Sequence, residues 1–293
     1  MTGLHGRPTF SLENDWVRLD VLTNALRIVR FHLKGHANLL AELAGPAIPT
    51  PYGDFHFYGG HRLWHAPEAM PRTYIPDRDL QVNLTANGIR LDRPAEPWTQ
   101  IAKSLEIRLN PERPQVILQH ELRNDGPWPI QLAPWALTMF RLGGVAIFPL
   151  PTDNADPEGL LPNRHFAFWP YSRLNDPRLI LYDRVALVRA MPASPPFKFG
   201  YFNPFGWQAY LLEGVLFVKT FNPHPGLPFP DGGCNTESYC NDQFIELESL
   251  GPLQTLEPGQ TALHVETWDL YDSLEHSPLP AEIQTLLNQE RFL

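Results

Sequence analysis

The sequence predicts an all-β protein built as one large antiparallel β-sandwich. Short segments that alternate apolar and polar residues recur at roughly 8–12-residue intervals, which is typical of sandwiches and barrels. Proline supplies 32 of the 293 residues, and it disfavours long helices because it removes a backbone donor and clashes with the preceding turn. No change in composition marks a linker, so we expect a single domain over residues 1–293.

The first half of the chain contains most of the clear strand signals. Alternating segments separated by turn residues predict strands at 16–22, 25–33, 38–43, 80–92, 101–110, 115–125, 129–140 and 145–151. Asn87-Gly88 predicts a two-residue hairpin inside one of them. The segment 50–68 is dense in Gly, Pro, His and aromatic residues without a sustained period, so we expect a loop there that crosses one end of the sheet.

Loops and strands alternate in the second half. A proline-rich loop is predicted at 152–178, and closely spaced strands follow it as far as Phe221. The segment 222–241 is predicted to be a long surface loop, of the kind that often carries a binding role. A short C-terminal helix is predicted at 280–292, where three apolar residues share one face and a proline suits the first turn.

Two glutamates are the sharpest chemical feature of the sequence. They lie in 242–271, which we predict to form two antiparallel strands joined by a Pro/Gly turn. Glu246 and Glu248 alternate with Ile245 and Leu247, so a period of two places both carboxylates on one face and the apolar pair towards the core. At about 7 Å apart, the two charges perturb each other. The alternative is a solvated face with scattered acids.

The segment 59–68, GGHRLWHAPE, carries groups that suit a sugar. His61, Arg62 and His65 offer donors for hydroxyl groups, and Trp64 offers a flat apolar surface for the C–H face of a sugar ring. The alternative is that these side chains cap and cross-link a buried loop.

A metal site is the weaker interpretation of the same segment. His56, His61 and His65 are potential ligands, but this spacing converges on a metal only in a helix. Gly59-Gly60 and Pro67 disfavour a helix, so we expect neither a metal nor another cofactor.

Lys198 and Lys219 lie in segments that are otherwise strongly apolar. A lysine on a half-buried face either extends its ammonium group to water or pairs with an acid such as Glu246 or Glu248. We expect both lysines to line the same pocket and to bind substrate.

The composition excludes several classes of function. The net charge is −9 and no block of basic residues occurs, which argues against a nucleic-acid partner. Two cysteines are too few for a disulfide scaffold. No segment approaches 18 consecutive apolar residues and no signal peptide is recognisable, so we expect a cytoplasmic protein without a membrane partner. Motifs of P-loop, dinucleotide-binding and serine-hydrolase enzymes are missing from the sequence.

Taken together, the chain resembles the galactose mutarotase (aldose 1-epimerase) superfamily, a large antiparallel β-supersandwich, and its uncharacterised branches most of all. The C-terminal run LES…GPL…LEPGQTALHVETWDL is similar to the ending of that superfamily, which implies Glu248 as the catalytic base and Glu246 as the alternative. The motif GGHRLW resembles its Gly-rich, His-containing loop, which implies His61 and Arg62 at the sugar pocket.

The sequence departs from that superfamily at one catalytic position. Where the superfamily has a catalytic histidine, this chain reads RNDGPWPIQLAPWALTMF, with Pro134-Trp135 in its place. The resemblance then implies that His65 or His61 supplies the acid.

Three functions follow as hypotheses. The first is acid–base interconversion at the anomeric carbon of a sugar, and the second is carbohydrate binding without chemistry. The third is a lyase or hydrolase acting on uronic-acid saccharides, in which Arg62, Lys198 and Lys219 neutralise the substrate carboxylate. In each case the expected partner is a small sugar or an oligosaccharide.

Overall fold

A computed structural model describes residues 3–45 and 47–272, and this part of the chain is all-β, without an α-helix. The first strands are β1 (Gly3–Leu4), β2 (Arg7–Glu13), β3 (Val17–Leu22), β4 (Ile28–Leu33), β5 (Ala47–Thr50), β6 (Gly53–His56), β7 (His61–Ala66), β8 (Gln81–Thr85), β9 (Gly88–Arg93), β10 (Ile101–Leu109), β11 (Gln115–Asn124) and β12 (Ile130–Phe140). The later strands are β13 (Val145–Pro149), β14 (Phe166–Phe168), β15 (Leu179–Leu181), β16 (Val185–Arg189), β17 (Phe197–Tyr201), β18 (Trp207–Leu212), β19 (Val215–Phe221), β20 (Thr236–Cys240), β21 (Ile245–Leu250), β22 (Gln254–Leu256) and β23 (Thr261–Asp272). The helix predicted at 280–292 lies outside the described residues.

Two large antiparallel sheets contain almost all of these strands. The 11-stranded sheet, here sheet A, has the order β1-β2-β3-β4-β7-β12-β21-β20-β17-β14, with β22 also paired to β12. The 10-stranded sheet, here sheet B, has the order β15-β16-β13-β18-β19-β23-β11-β10-β9-β8. Strands β5 and β6 form a separate two-stranded ribbon. The predicted all-β antiparallel fold class is therefore confirmed.

The main core lies between the inner faces of the two sheets. Strand period places Ile245 and Leu247 of sheet A inward, as predicted, where they join one buried cluster with residues of both sheets. Phe31 from sheet A packs against Trp268 from sheet B with ring centroids 5.6 Å apart. No helix that could cross a membrane occurs among the described residues.

All three segments predicted to be loops contain strands. The segment 50–68 contains β6 and β7, 152–178 contains β14, and 222–241 contains β20. Every residue of β7 is buried, on both faces of the strand. The alternation of exposed and buried residues that marks a half-exposed strand is therefore lost. Conversely, the strand predicted at 38–43 reduces to isolated bridges at Leu40 and Glu42.

The predicted pairing within 242–271 is wrong. Strand β21 pairs with β12 and β20 in sheet A, whereas β23 pairs with β11 and β19 in sheet B. The connection between them crosses from one sheet to the other, and the two strands meet across the core, where Ser249 Oγ donates to Glu266 Oε1 over 2.5 Å. Two strands and a Pro/Gly turn give the same local pattern in a hairpin and in such a crossover.

Candidate active site

A cleft of about 390 Å³ opens on the outer face of sheet A. Its floor is formed by β7, β12, β21, β20 and β17, which are consecutive neighbours in sheet A. Residues from loops form its rim. The volume suits a small polar ligand such as a monosaccharide. The residues that carry the argument below line this cleft: Arg62, Trp64, Trp135, Trp169, Lys198 and Glu246.

Strand register brings the charged side chains together. Leu137 of β12 lies opposite Arg62 on one side and opposite Glu248 on the other. Glu248 in turn lies opposite Glu237 of β20. Because directly opposed residues point to the same face of a sheet, these groups all extend towards the cleft.

A lysine and two glutamates form the deepest charged group of the cleft. Lys198 Nζ lies 2.7 Å from Glu237 Oε2 and 3.0 Å from Glu248 Oε2. Trp135 Nε1 donates to the same Glu248 oxygen over 2.8 Å. The ammonium also lies 4.5 Å from the ring centroid of Trp169, so aromatic surface covers the charge on the cleft side.

Gly200 makes room for this group. It lies opposite Glu237 in the pairing of β17 with β20. A Cβ at this position would lie 2.9 Å from both Glu237 Cγ and Cys234 Sγ, which is too close for either contact. A side chain here would therefore displace the Glu237 carboxylate from Lys198.

The three groups hold one positive charge against two carboxyls. Burial alone would lower the pKa of Lys198, but the charges of Glu237 and Glu248 raise it well above its ordinary value. Burial also raises the pKa of Glu237 well above the usual range, with Glu248 and Asp231 adding to the effect. Lys198 therefore stays protonated.

Glu246 has a separate cationic partner. Arg62 Nη2 lies 2.9 Å from Glu246 Oε1, and its guanidinium carbon lies 4.1 Å from the ring centroid of Trp64. Burial raises the pKa of Glu246 to about 7, and Glu248 adds to the rise while Arg62 opposes it. A carboxyl of this pKa that lines a cleft can both accept and release a proton near neutral pH.

Several polar atoms around the cleft have no hydrogen-bond partner. They include Nε and Nη1 of Arg62, Oε1 of Glu237 and Oε1 of Glu248, all buried. Since buried polar atoms are normally satisfied, unpaired donors and acceptors at a cleft are consistent with a polar ligand.

The other face of the same strands carries a second polar group, buried between the sheets. His61 Nε2 lies 2.8 Å from His120 Nε2, and His61 Nδ1 lies 2.9 Å from Thr138 Oγ1. Lys219 Nζ donates to Thr138 Oγ1 over 2.8 Å and lies 2.9 Å from Glu266 Oε1. This network ties sheet A to sheet B without reaching the cleft.

The network keeps its histidines neutral. Burial lowers the pKa of His61 and of His120. Burial would raise the pKa of Glu266, but Lys219 lowers it below the usual range. Ligand atoms of His61, His120 and Glu266 lie within 4.8 Å of one another, yet Lys219 already neutralises the carboxylate that a metal would need.

The residues predicted from the sequence divide between the two faces. Five border the cleft or pair with groups that line it, namely Arg62, Trp64, Lys198, Glu246 and Glu248. Three lie on the core side instead, namely His61, His65 and Lys219. The expected position of His61, His65 and Lys219 at the sugar pocket is therefore corrected, and no histidine is among the described residues that line the cleft.

His65 has its own environment on the core side. It is buried, and neither ring nitrogen has a hydrogen-bond partner. Burial lowers its pKa well below the ordinary value, and Lys103, Arg72 and Arg93 add to the effect.

Three residues of the site were given no specific role from the sequence. Glu237 was considered only as one of the residues of the predicted loop 222–241 that could fold over a ligand, and Trp169 lay in the predicted loop 152–178. Trp135 was noticed only as the occupant of the position where a catalytic histidine was expected. Glu237 was recoverable in principle, because a strand through 236–240 puts it on the same face as Tyr239.

Comparison with solved structures identifies the fold. A candidate aldose 1-epimerase from Escherichia coli K12 superposes with a TM-score of 0.60 at 12% identity, over 91% of this chain and 99% of that one. A galactose mutarotase-like protein from Lactobacillus casei gives 0.60 at 11%, over 90% and 100%. The chain has the galactose mutarotase-like fold.

A further mutarotase-like neighbour supports the same conclusion. A candidate aldose 1-epimerase from Klebsiella pneumoniae superposes with a TM-score of 0.59 at 11% identity, over 97% of this chain and 84% of that one. No family profile matches the sequence, and no curated protein matches it. The galactose mutarotase-like fold is thus shared without recognisable sequence similarity, and the chemistry of the cleft has to be argued from its own residues.

Proposed function

We propose that this galactose mutarotase-like protein binds a sugar in the cleft of sheet A and interconverts its anomers by acid–base chemistry. The observation that carries the proposal is Glu246, a carboxyl that lines the cleft and whose pKa burial raises to about 7. Anomer exchange needs a group that removes the proton of the anomeric hydroxyl and later returns it, and a pKa near 7 suits both steps.

Glu246 is favoured over Glu248 as the group that contacts the anomeric hydroxyl. Glu248 is fully buried, and one of its oxygens already accepts from Trp135 and Lys198. Glu246 has Arg62 as its ion-pair partner and lines the cleft directly. In this proposal Glu248 is a positioning residue that holds Lys198 in place.

Lys198 supplies the proton for the ring oxygen. As the bond between the anomeric carbon and the ring oxygen breaks, the oxygen becomes an alkoxide, which is a stronger base than a lysine amine and takes the ammonium proton. Glu237 and Glu248 hold the amine of Lys198 in place, at distances of 2.7 and 3.0 Å from Nζ. Rotation about the C1–C2 bond and reversal of both transfers then give the other anomer.

Exchange spectroscopy tests the proposal. Wild-type protein at micromolar concentration is mixed with each of a panel of aldoses, and the rate of α–β exchange is measured by NMR. The proposal predicts accelerated exchange for at least one sugar. Unchanged rates for every sugar would remove it.

Carbohydrate binding without chemistry is the second candidate. It is favoured by one observation, since the described residues lining the cleft include no histidine to act as a general acid. It predicts saturable binding of a sugar with no change in its exchange rate, so the same NMR samples distinguish the two candidates.

The uronic-acid hypothesis receives less support. Arg62, Lys198 and Lys219 are each paired with a glutamate of the protein, so none of these three cations has its charge available for a substrate carboxylate. Lys219 also belongs to β19 of sheet B and is fully buried between the two sheets.

A further inference from the structure

We infer that the cleft selects a sugar that carries a protonated amino group over the corresponding neutral sugar. The inference rests on the proposed function, because it takes the cleft of sheet A as the sugar site. It is carried by an imbalance of charge in the cleft, by the aromatic rings that enclose it, and by a buried carboxylate oxygen that has no partner.

Carboxylates outnumber cations in and around the cleft. The two cations are Arg62 and Lys198. Among the lining residues they face two carboxyl groups, those of Glu68 and Glu246, and the excess comes from three further carboxyl groups that act on Lys198 without lining the cleft, namely Asp231, Glu237 and Glu248. Since each cation is already paired with a glutamate, a ligand with positive charge would complete the charge balance and an anionic ligand would worsen it.

Asp231 and Glu68 extend this excess from the floor to the rim. Burial raises the pKa of Asp231, and the charges of Glu248 and Glu68 raise it further. Glu68 is exposed beside Tyr74, whose hydroxyl donates to its carboxylate. Burial is the main cause of the raised pKa values of Asp231 and Glu246, and the charge of Glu248 adds to both.

The walls of the cleft suit a cation as well as a sugar ring. Tyr171 and Tyr239 meet edge to face with centroids 6.3 Å apart, and Trp169 lines the same space. Aromatic faces attract an ammonium group through the negative charge above the ring. Lys198, held 4.6 Å from the ring centroid of Trp135, already shows this type of contact inside the cleft.

Glu248 Oε1 is one of the buried acceptors of this region without a hydrogen-bond partner. Glu248 is fully buried, and its Oε1 accepts no hydrogen bond, whereas its Oε2 accepts two. An ammonium group donates a charge-assisted hydrogen bond, so it pairs with a carboxylate oxygen more strongly than a neutral hydroxyl does. Leaving a buried carboxylate oxygen unpaired is costly, which makes the added donor favourable.

Matched sugars test the inference. The dissociation constants of 2-amino-2-deoxyglucose and 6-amino-6-deoxyglucose are measured by calorimetry against their N-acetyl forms and against glucose. We expect at least one amine to bind tenfold or more tightly than both its N-acetyl form and glucose. Binding of glucose or the N-acetyl forms as tight as that of the amines would overturn the inference, and so would the absence of binding by every amine.

Variants separate charge from shape. Glu68→Gln removes a rim charge without changing size, and we expect it to reduce the preference for the amine over its N-acetyl form at least threefold. Glu257→Gln, at an exposed residue that does not line the cleft, should leave the preference unchanged. An unchanged preference in Glu68→Gln would count against a role of the charge excess in selection.

The same samples keep the two proposals apart. Catalysed exchange of neutral sugars without amine preference would overturn this inference and leave the proposed anomer interconversion standing. Selective binding of an amine without accelerated exchange would support this inference and overturn the proposed anomer interconversion.

Discussion

The guanidinium of Arg62 lies 2.9 Å from the carboxylate of Glu246, and this ion pair joins β7 to β21 across the strand between them. Arg62 is the cation that pairs with Glu246, whose carboxyl group is otherwise removed from water. The Arg62 charge lowers the pKa of Glu246, but burial has the larger effect and raises it to about 7. The pair therefore holds Glu246 in place while leaving its proton exchangeable near neutral pH.

The rate of anomer exchange should depend on pH through Glu246. As a base, Glu246 is active when ionised, so the rate should rise as pH increases through about 7 and then level off. The pH profile of exchange, measured by NMR and corrected for the uncatalysed rate, checks this. A profile that is flat from pH 5 to 9 would be inconsistent with Glu246 as the base.

The carboxyl group of Glu246 should also make the free energy of unfolding depend on pH. Its folded-state pKa lies above the unfolded value of 4.5, so the folded state binds more protons in the window between the two values. The free energy of unfolding should therefore fall by about 3 kcal/mol as pH rises from 4.5 to 7 on account of this group. Urea titrations of wild type and Glu246→Gln should therefore show a difference in unfolding free energy that falls by this amount over the same pH range.

A methyl group at Gly200 should disturb the charged group of the cleft. In Gly200→Ala the new Cβ would lie 2.9 Å from Glu237 Cγ, so we expect a loss of about 1–3 kcal/mol in unfolding free energy and slower anomer exchange. Gly45→Ala is the matched control, because nothing lies within 4 Å of its Cβ position. Equal changes in unfolding free energy for the two substitutions, measured by urea unfolding, would contradict the predicted clash with Glu237.

Removal of Lys219 should test its placement in the core. Lys219→Met leaves Glu266 buried without its cation, so we expect the free energy of unfolding to fall by about 3–5 kcal/mol. Lys219→Met/Glu266→Gln removes both charges and should recover part of the loss. A loss below about 1 kcal/mol in the single variant would show that the buried pair is not formed.

Trp169 should contribute directly to sugar binding. Its ring lines the cleft, and Trp169→Ala removes an apolar face, so we expect affinity to fall about tenfold, which corresponds to about 1.4 kcal/mol. Calorimetric titration with the best-bound sugar measures the change. Trp128→Ala is the control, because Trp128 is 77% exposed and does not line the cleft, and a similar loss in both variants would argue against stacking.

The sequence predicted the fold class and one part of the site for physical reasons that are now visible. Period-two alternation correctly placed Ile245 and Leu247 inward and Glu246 outward, because β21 has a core on one side and a cleft on the other. The hairpin predicted from Asn87-Gly88 also formed, although its two turn residues are Ala86 and Asn87, and Gly88 already pairs with Thr85 as the first residue of β9.

Other features depended on contacts that a local pattern does not contain. Strand β7 is buried on both faces, so His61 and Arg62 look alike in the sequence although they point to opposite sides of sheet A. Glu237 and Lys198 meet only because β20 and β17 are neighbours, a pairing between distant segments. The assignment of catalytic and sugar-binding roles to the predicted residues stays a prediction.

Substitution of Glu246 tests the central claim most directly. Glu246→Gln keeps the size of the side chain and a possible contact with Arg62 but removes the exchangeable proton. With the sugar that wild type converts fastest, we expect anomer exchange measured by NMR to slow by about 10²–10⁴-fold while the sugar still binds. Exchange at the wild-type rate in a folded Glu246→Gln protein would contradict the claim that this carboxyl carries the chemistry.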